Sequence, residues 1–339
     1  MTATPLVDPA APAAPVPAAL EVSDLHVWVM ADGAKRHLVE GVGFSVRRGT
    51  VMGIVGETGA GKTMTVRSLL GLLPPGVRSS GALRLDGRAS FALADHDRLV
   101  DIRGGGIGII LQNPVGMFDP LKRMSAQLTE GVVRRRMMSE KDALVRAREL
   151  LAHLGFPDPD ATLALYPHQV SGGMGQRLAI AMTLMPRPRV IVADEPTSAL
   201  DANLRVDALR LLRRMGQEED AAIVLVSHDL GLVSNFCDTL AVMYAGRIVE
   251  AGPTARVLRH PEHPYTRALA ACSTSIDAPR RQPLSVIPGT APAPQDWPSG
   301  CLFAPRCPLA FDRCVAERPE LRWVAGEAAA CHLAFGERA

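Results

Sequence analysis

Gly56-Glu57-Thr58-Gly59-Ala60-Gly61-Lys62-Thr63 has the spacing of a phosphate loop. Glycines let backbone N–H groups turn inward around an anion, and a helix opening behind the loop adds the positive end of its dipole. Lys62 supplies a point charge for β- and γ-phosphates, and Thr63 a hydroxyl for Mg2+. A second set lies downstream. Val190-Ile191-Val192-Ala193 places Asp194 at a strand's end, where a carboxylate can organise Mg2+ and its waters. Glu195 follows at once and points elsewhere, which suits it to orient and deprotonate an attacking water. On residue type alone it also reads as a surface carboxylate or a helix cap. His228 ends the next apolar strand, in Val226-Ser227-His228-Asp229. Its order after Asp194-Glu195 suits it to touch the γ-phosphate and hold Glu195. Together these groups describe phosphoryl transfer to water.

The cysteines offer different chemistry. Four of the six fall near the end of the chain, as Cys301-x5-Cys307-x6-Cys314-x16-Cys331. A reducing compartment seldom leaves disulfides in place, which favours metal or cluster binding. Four soft thiolates can hold tetrahedral zinc or an iron–sulfur cluster, and unligated buried thiols are the third reading. Gly300 and Pro308 bend the backbone tightly there, and no CxxC pair is present. His332 is an alternative fourth ligand, more in keeping with a support behind Cys331. Cys237 and Cys272 read as small, buried and inert.

Elements must position these residues. Leu20, Val22, Leu25, Val27 and Val29 are mostly alternate, as in a half-buried strand. Val51–Val55 is a short apolar run into the phosphate loop, and the helix behind it is expected from Gly61 towards Leu73, before Pro74-Pro75. Ile107–Leu111 is a strand ending at Gln112. Ser139 to Leu154 is a helix with Ser139 and Asp142 as a capping box, Leu144, Ala147, Leu151 and Leu154 on one face, and Gly155 as its stop. Val190–Ala193 and Ala222–Val226 are buried strands. Leu240–Tyr244 and Arg247–Val249 flank Ala245-Gly246 as a hairpin. Strands alternating with helices give an α/β domain with a mostly parallel core sheet. Residues 113–185 read as a mainly helical insert. After about residue 265 the pattern breaks into Pro- and Cys-rich segments.

Composition narrows the classes. The chain has 339 residues, enough for one large domain and an appendage. Its formal net charge is only +2, without a long basic run, which argues against a nucleic-acid partner. No apolar run reaches the ~20 residues needed to span a bilayer. The Ala- and Pro-rich residues 1–19 lack the basic start and apolar block of a secretory signal and read as a disordered tail.

Gly56–Thr63, Gln112, Ser171-Gly172-Gly173-Met174-Gly175-Gln176, Asp194-Glu195-Pro196, Ser198-Ala199-Leu200-Asp201 and His228 follow one another over about 21–250. In that order they resemble the ATP-binding cassette (ABC) ATPases. The resemblance implies an ABC-type phosphate-loop fold with an antiparallel β subdomain and a helical subdomain. It implies a head-to-tail dimer in which Ser171, Gly172, Gly173 and Gln176 serve the ATP of the other domain, with Asp201 at the seam. Gln112 would sense Mg2+ and the attacking water, and about 113–125 would help form the groove for a transmembrane subunit. An aromatic residue often stacks on adenine in this family. By spacing, that place falls near Arg36 or His37, either of which can stack as a planar cation or ring.

A narrower resemblance reaches nearly the whole chain. Tyr166-Pro167-His168-Gln169-Val170-Ser171-Gly172-Gly173-Met174, His263-Pro264-Tyr265-Thr266 and Gly300-Cys301 through Arg306-Cys307-Pro308 and Cys314 to Cys331-His332 are similar to the peptide/nickel importer branch, in its D-type subunits. Met174 stands where the broad ABC pattern has glutamine. Leu73-Pro74-Pro75-Gly76-Val77 and Gln112-Asn113-Pro114 are also similar to nickel-importer subunits. The branch implies ATP hydrolysis that energises import of di- or oligopeptides, with nickel or metal chelates as the alternative. A soluble ABC ATPase lacks support, since no tandem cassette, long coiled-coil insert or basic extension is present. It further implies a [4Fe-4S] cluster on Cys301, Cys307, Cys314 and Cys331, with zinc as alternative. The expected partners are a related F-type ATPase chain, two transmembrane permease subunits and, indirectly, an extracytoplasmic solute-binding protein. The expected location is the cytoplasmic membrane face. The expected domains are 20–265 for nucleotide binding, with its helical subdomain at about 113–185, and a small Cys-rich domain at 266–339.

Overall fold

The structure is a computed structural model that describes residues 18–112, 115–197, 202–272 and 286–336, with the backbone alone for Val115 and residues 202–204. It divides into two compact units: the chain up to Val100 with the chain from Val224 onward, and Asp101–Ile223.

In the first unit, β1 (Ala18–Ala31) and β2 (Ala34–Arg47) form an antiparallel hairpin. Leu20, Val22, Leu25 and Val27 are fully buried. The three-residue step from Val22 to Leu25 is a bulge: the register shifts there, and Asp24 takes φ 49°. An extra residue in one strand returns the side-chain alternation to the same face, so both halves of β1 feed one core. β1 begins at Ala18, so the expected tail ends before residue 19; its first 17 residues lie outside the described ones.

β3 (Val51–Val55) is buried along its length and leads through the phosphate loop into α1 (Lys62–Ser68). The expected run to Leu73 stops at Ser68. Gly71 turns left-handed at φ 61°, and its N–H donates to the Ser68 carbonyl at 3.1 Å, closing the helix before the prolines are reached. β4 (Val77–Leu85) pairs antiparallel with β1, and β5 (Phe91–Ala92) with β4, giving the order β2-β1-β4-β5. α2 (His96–Ile102) leads out of this unit.

In the second unit, β6 (Ile107–Ile110) runs parallel to β7 (Val190–Asp194). Between them lie α3 (Met124–Arg134), α4 (Glu140–His153), α5 (Pro159–Ala164) and α6 (Gly172–Leu184). The Ser139 hydroxyl caps α4, accepting from the Asp142 N–H at 3.1 Å, and Gly155 at φ 79° ends it. The buried face is Ala143, Ala147, Leu150 and Leu151; Leu144 is only half-buried. Arg146 shares that face. It donates to the Leu184 and Met185 carbonyls at 2.8 and 3.0 Å and pairs with Glu219 at 3.1 Å. A cation there satisfies the orphan carbonyls and negative dipole end of α6, which is why a charge is tolerated inside. α7 (Ala202–Glu218) leads to β8 (Ala222–Val226), which straddles the division of units.

Back in the first unit follow α8 (Leu230–Phe236), β9 (Thr239–Tyr244) and β10 (Arg247–Pro253). Ala245 and Gly246, at φ 42° and 77°, make the tight turn that joins β9 to β10. α9 (Thr254–Arg259) and α10 (Pro264–Cys272) come next, and Cys272 is half-buried rather than buried. The C-terminal stretch holds α11 (Asp312–Ala316), β11 (Arg322–Val324) and β12 (Glu327–Ala329). β12 pairs antiparallel with β10, and Arg256 pairs with Glu327. Within this unit the strand order is β11-β12-β10-β9-β3-β8, with β3 and β9 parallel. The Cys-rich stretch therefore extends the sheet that carries the phosphate loop and clusters in the same compact unit. Among the described residues, no helix is long and apolar enough to cross a membrane.

Candidate nucleotide site

The phosphate loop is shaped by close approach. A Cβ on Gly56, at φ 152°, would lie 2.2 Å from the Met243 carbonyl oxygen, so only glycine lets the loop leave β3 against β9. Gly59, at φ 84°, faces open space. The Gly246 N–H donates to the Ala60 carbonyl at 3.0 Å, and Glu40 N–H donates to the Gly246 carbonyl at 2.9 Å. The loop thus rests on the β9–β10 turn and on β2. Lys62 is buried, and its ammonium donates to the carbonyls of Gly56 and Glu57 at 2.7 and 3.0 Å. A cation curled into a ring of backbone dipoles occupies the position that phosphate oxygens would share. Thr58 and Thr63 lie on the loop and at the start of α1. The cradle therefore fits a triphosphate and its Mg2+.

Sequence reasoning missed three residues here. The Glu57 N–H donates to the Tyr265 hydroxyl at 2.9 Å. Arg306 donates to both Glu57 carboxylate oxygens at 2.9 and 3.1 Å, and to the Tyr244 hydroxyl at 3.3 Å. Tyr244 and Tyr265, both fully buried, tilt together at 4.7 Å between ring centroids, with Phe303 against both. The signal was present: the chain has only 3 tyrosines, and two of them stand in otherwise apolar or loop contexts where a buried hydroxyl needs a partner. Behind them, His263 is buried, its Nδ1 accepts the Tyr265 N–H at 3.0 Å, and burial pulls its pKa down to about 3. Glu250, also buried, accepts from the N–H groups of Glu262 and His263 at 2.8 and 3.0 Å; burial raises its pKa.

Of the two adenine-stacking candidates, Arg36 forms an ion pair with Asp32 at 2.6 Å near the tip of the β1–β2 hairpin. His37 lies edge-on to His26 at 5.5 Å and tilted to Trp28 at 6.4 Å; burial and Lys35 lower its pKa. Leu38, next along β2, has its carbonyl within 3.1 Å of a Cβ built on Gly61. The strand carrying Arg36 thus passes directly beside the loop. His228 is exposed at the end of β8, and Asp229 after it caps α8 through the Leu232 N–H at 3.1 Å.

The second unit carries the other half of the chemistry. Asp194 is buried at the end of β7. Glu195 takes φ 47°, a left-handed conformation disfavoured for a residue with a Cβ. Glu195 is half-buried, and Gln112 donates to its Oε2 at 3.3 Å. These two candidates are therefore brought together. Strain held at such a place is a mark of function.

Ser171 is exposed and caps α6, accepting from the Met174 N–H at 3.3 Å. Gly172 is exposed with helical backbone, and a Cβ there would meet nothing within 4 Å. Gly173 and Gln176 line a groove of about 390 Å3 with Leu154, Arg177, Asp207 and Arg214. Gln176 itself is buried. Asp201, Asn113 and Pro114 lie outside the described residues.

Cys301, Cys307, Cys314 and Cys331 line one cavity, with His263 and His332 also at its wall. Burial first, then neighbouring thiols, raises Cys301 to about 11 and also raises Cys331 and Cys307. The Cys301 N–H donates to the Cys314 carbonyl at 2.8 Å. A single tetrahedral ion with metal–sulfur bonds of about 2.3 Å would draw the sulfurs to about 3.8 Å from one another. Among the described residues no group of three or more such side chains closes around one ion. The His332 Nε2–H donates to the Glu317 carbonyl at 3.0 Å.

Two family models match: ABC transporter over residues 39–198, and oligopeptide/dipeptide transporter, C-terminal region, over residues 249–314. The chain is 37% identical over 317 residues to the dipeptide transport ATP-binding protein DppD of Escherichia coli (strain K12), covering 93% of this chain and 96% of that protein. It is 40% identical over 294 residues to DppD of Bacillus subtilis (strain 168), covering 85% and 86%. Among solved structures it resembles cbiO1 from Clostridium perfringens, part of the ABC transporter complex cbiONQ, at TM-score 0.61 and 27% identity over 72% of this chain and 92% of that one. The fold also matches the ATP-binding cassette MJ0796 bound to ADP and Pi, at TM-score 0.58 and 24% identity over 69% and 98%. With the phosphate loop, the strand-end carboxylates and the Ser-Gly-Gly turn on the helical insert all accounted for, the chain belongs to the ABC transporter family of ATP-binding, ATP-hydrolysing subunits.

Proposed function

We propose that this chain is one of the two ATPase subunits of an importer for di- or oligopeptides. The observation that carries the two-chain reading is Gly172. Its backbone is helical, its surroundings are open, and alanine would favour the helix by up to about 1 kcal/mol. The open space at Gly172, beside the exposed Ser171, supports a surface that another chain approaches closely. A second ATP-binding chain, presenting its own loop-bound nucleotide, supplies such a surface. Residues 20–265 serve as the nucleotide-binding domain and 266–339 as its Cys-rich appendage.

Lys62 and the loop N–H groups bind the phosphates, while Thr63, Gln112 and Asp194 hold Mg2+. The ion, when bound, neutralises charge on the β- and γ-oxygens. Glu195 orients the water and takes its proton, and His228 contacts the γ-phosphate. Ser171 and Gly173 donate to the partner's ATP. Arg36 stacks on adenine. The peptide substrate follows from the relatives named above, which are dipeptide transport proteins; metal chelates give way to peptides on that ground. An F-type chain is the expected partner, with two membrane permeases that place the pair at the cytoplasmic face. Cys301, Cys307, Cys314 and Cys331 hold a [4Fe-4S] cluster whose contribution is structural.

ATP-dependent uptake of a labelled dipeptide, measured in cells with and without this subunit, tests the reading. Loss of uptake on deletion, restored by the intact chain, is the expected result. Unchanged dipeptide uptake with lost nickel uptake would overturn it.

A further inference from the structure

A carboxylate in a phosphate loop is out of place electrostatically. Glu57 stands at the second position of a loop that wraps a polyanion, and like charges repel across the low-dielectric edge of a protein. Arg306 answers it. Its guanidinium is 6% exposed and meets both Glu57 oxygens, the forked geometry that makes arginine–carboxylate pairs strong. The fork is fixed from other sides as well. Arg306 Nε donates to the Pro288 carbonyl at 2.8 Å, and a terminal nitrogen donates to the Ile287 carbonyl at 3.3 Å.

The same C-terminal stretch holds the loop by a second arm. Arg318 donates to Glu40 at 2.9 Å, and Arg247 donates to the same carboxylate at 3.0 Å. Glu40 in turn holds Gly246, on which Ala60 rests. Trp297 packs against Gly246 so closely that a Cβ there would fall 2.9 Å from its ring. Two arms from residues 297–318 therefore reach the two shoulders of the phosphate loop.

We propose that Arg306 is a positioning residue of the ATP site: it neutralises Glu57 and fixes the start of the loop, making the C-terminal stretch a working part of nucleotide binding. The inference rests on the reading of Gly56–Thr63 as the ATP loop. It requires nothing to be bound at the cysteines.

The test is equilibrium titration of the purified full chain with a fluorescent ATP analogue and Mg2+, in four forms: unaltered, R306Q, E57Q and R306Q/E57Q. R306Q leaves a carboxylate unpaired and is expected to bind about tenfold more weakly, the effect of roughly one uncompensated charge. E57Q removes the charge but keeps an acceptor for Arg306, and its own affinity is the reference for the double variant. The double variant removes the stranded charge, so its affinity should rise about tenfold above R306Q, to that of E57Q. A purely structural Arg306 would not be rescued by E57Q. Should R306Q not fold, R306K keeps the charge but loses the fork; it is expected to weaken binding by no more than about threefold, and a loss of about tenfold there overturns the neutralising role. Unaltered affinity in the arginine variant, or a double variant no better than the single, overturns the proposal. An unaltered chain that takes no nucleotide overturns the ATP reading itself, which separates the two failures.

Discussion

The phosphate loop and the Ser171 turn are both glycine-rich, yet Gly56 of the first and Gly172 of the second have opposite surroundings. Gly56 is boxed in by the Met243 carbonyl, and its neighbours are tied down by Tyr265, Arg306 and Gly246. Gly172 has nothing near it. The first glycine is needed by the chain that carries it, and the second is not. One motif completes itself within its own unit, and the other is left open for something outside. A sequence motif alone does not distinguish the two situations; space around the missing Cβ does.

Glu195, in the second unit, offers the largest test of that division between holding and reacting. E195Q should retain nucleotide affinity while hydrolysis falls ~10² or more, because the proton acceptor is lost. Full ATPase activity in a steady-state assay would move the reacting group elsewhere. G56A comes next. The side chain must displace backbone of β9, so stability should fall by about 2–4 kcal/mol, read from the denaturant midpoint. G172A should do the reverse: stability unchanged or raised by up to about 1 kcal/mol, with ATPase activity of the two-chain assembly down about tenfold. Equal activity there would remove the argument for an approaching surface.

The most gradual effect is that of pH. His263 is neutral in the fold and titrates at about 3, against 6.5 when exposed. Between those values the unfolded chain binds more protons, so stability is full above pH 6.5 and declines as the pH falls towards 3. The slope is at most about 1.4 kcal/mol per pH unit. Glu250, with a raised pKa, takes up its proton earlier in the fold and offsets part of that loss at the acid end. Protonation at His263 Nδ1 also breaks its bond to the Tyr265 N–H, so amide exchange at β9 should quicken on acidification before that of α6 does. The opposite order would show that the open region is the weaker one.

Short buried strands were the most legible part of the chain. Val51–Val55 and Ala222–Val226 are short apolar runs, and the structure keeps the same ends. The site residues on strand ends followed from those strands. Where the expectations slipped, a local device overrode periodicity. The bulge at Asp24 reset the phase of β1, and Gly71 stopped α1 before the prolines could. Arg146, on the helix that follows Ser139, is buried against carbonyls that only the fold brings to it. Arg306 was quoted for its neighbour Cys307, and Glu57 for its loop. Their pairing spans 249 residues, and no local pattern encodes a contact at that distance.

β12 closes the outer side of β10 through Glu250–Ala329 and Ala251–Ala328, and it is made about 75 residues after β10. Until then β10 is an open edge, ready to pair with the β10 of another nascent copy. A chain cut short before Arg306 would carry that edge and an unneutralised Glu57 together. The stretch that quiets the edge also supplies Arg306, so removing it exposes the edge and strands Glu57 in one step.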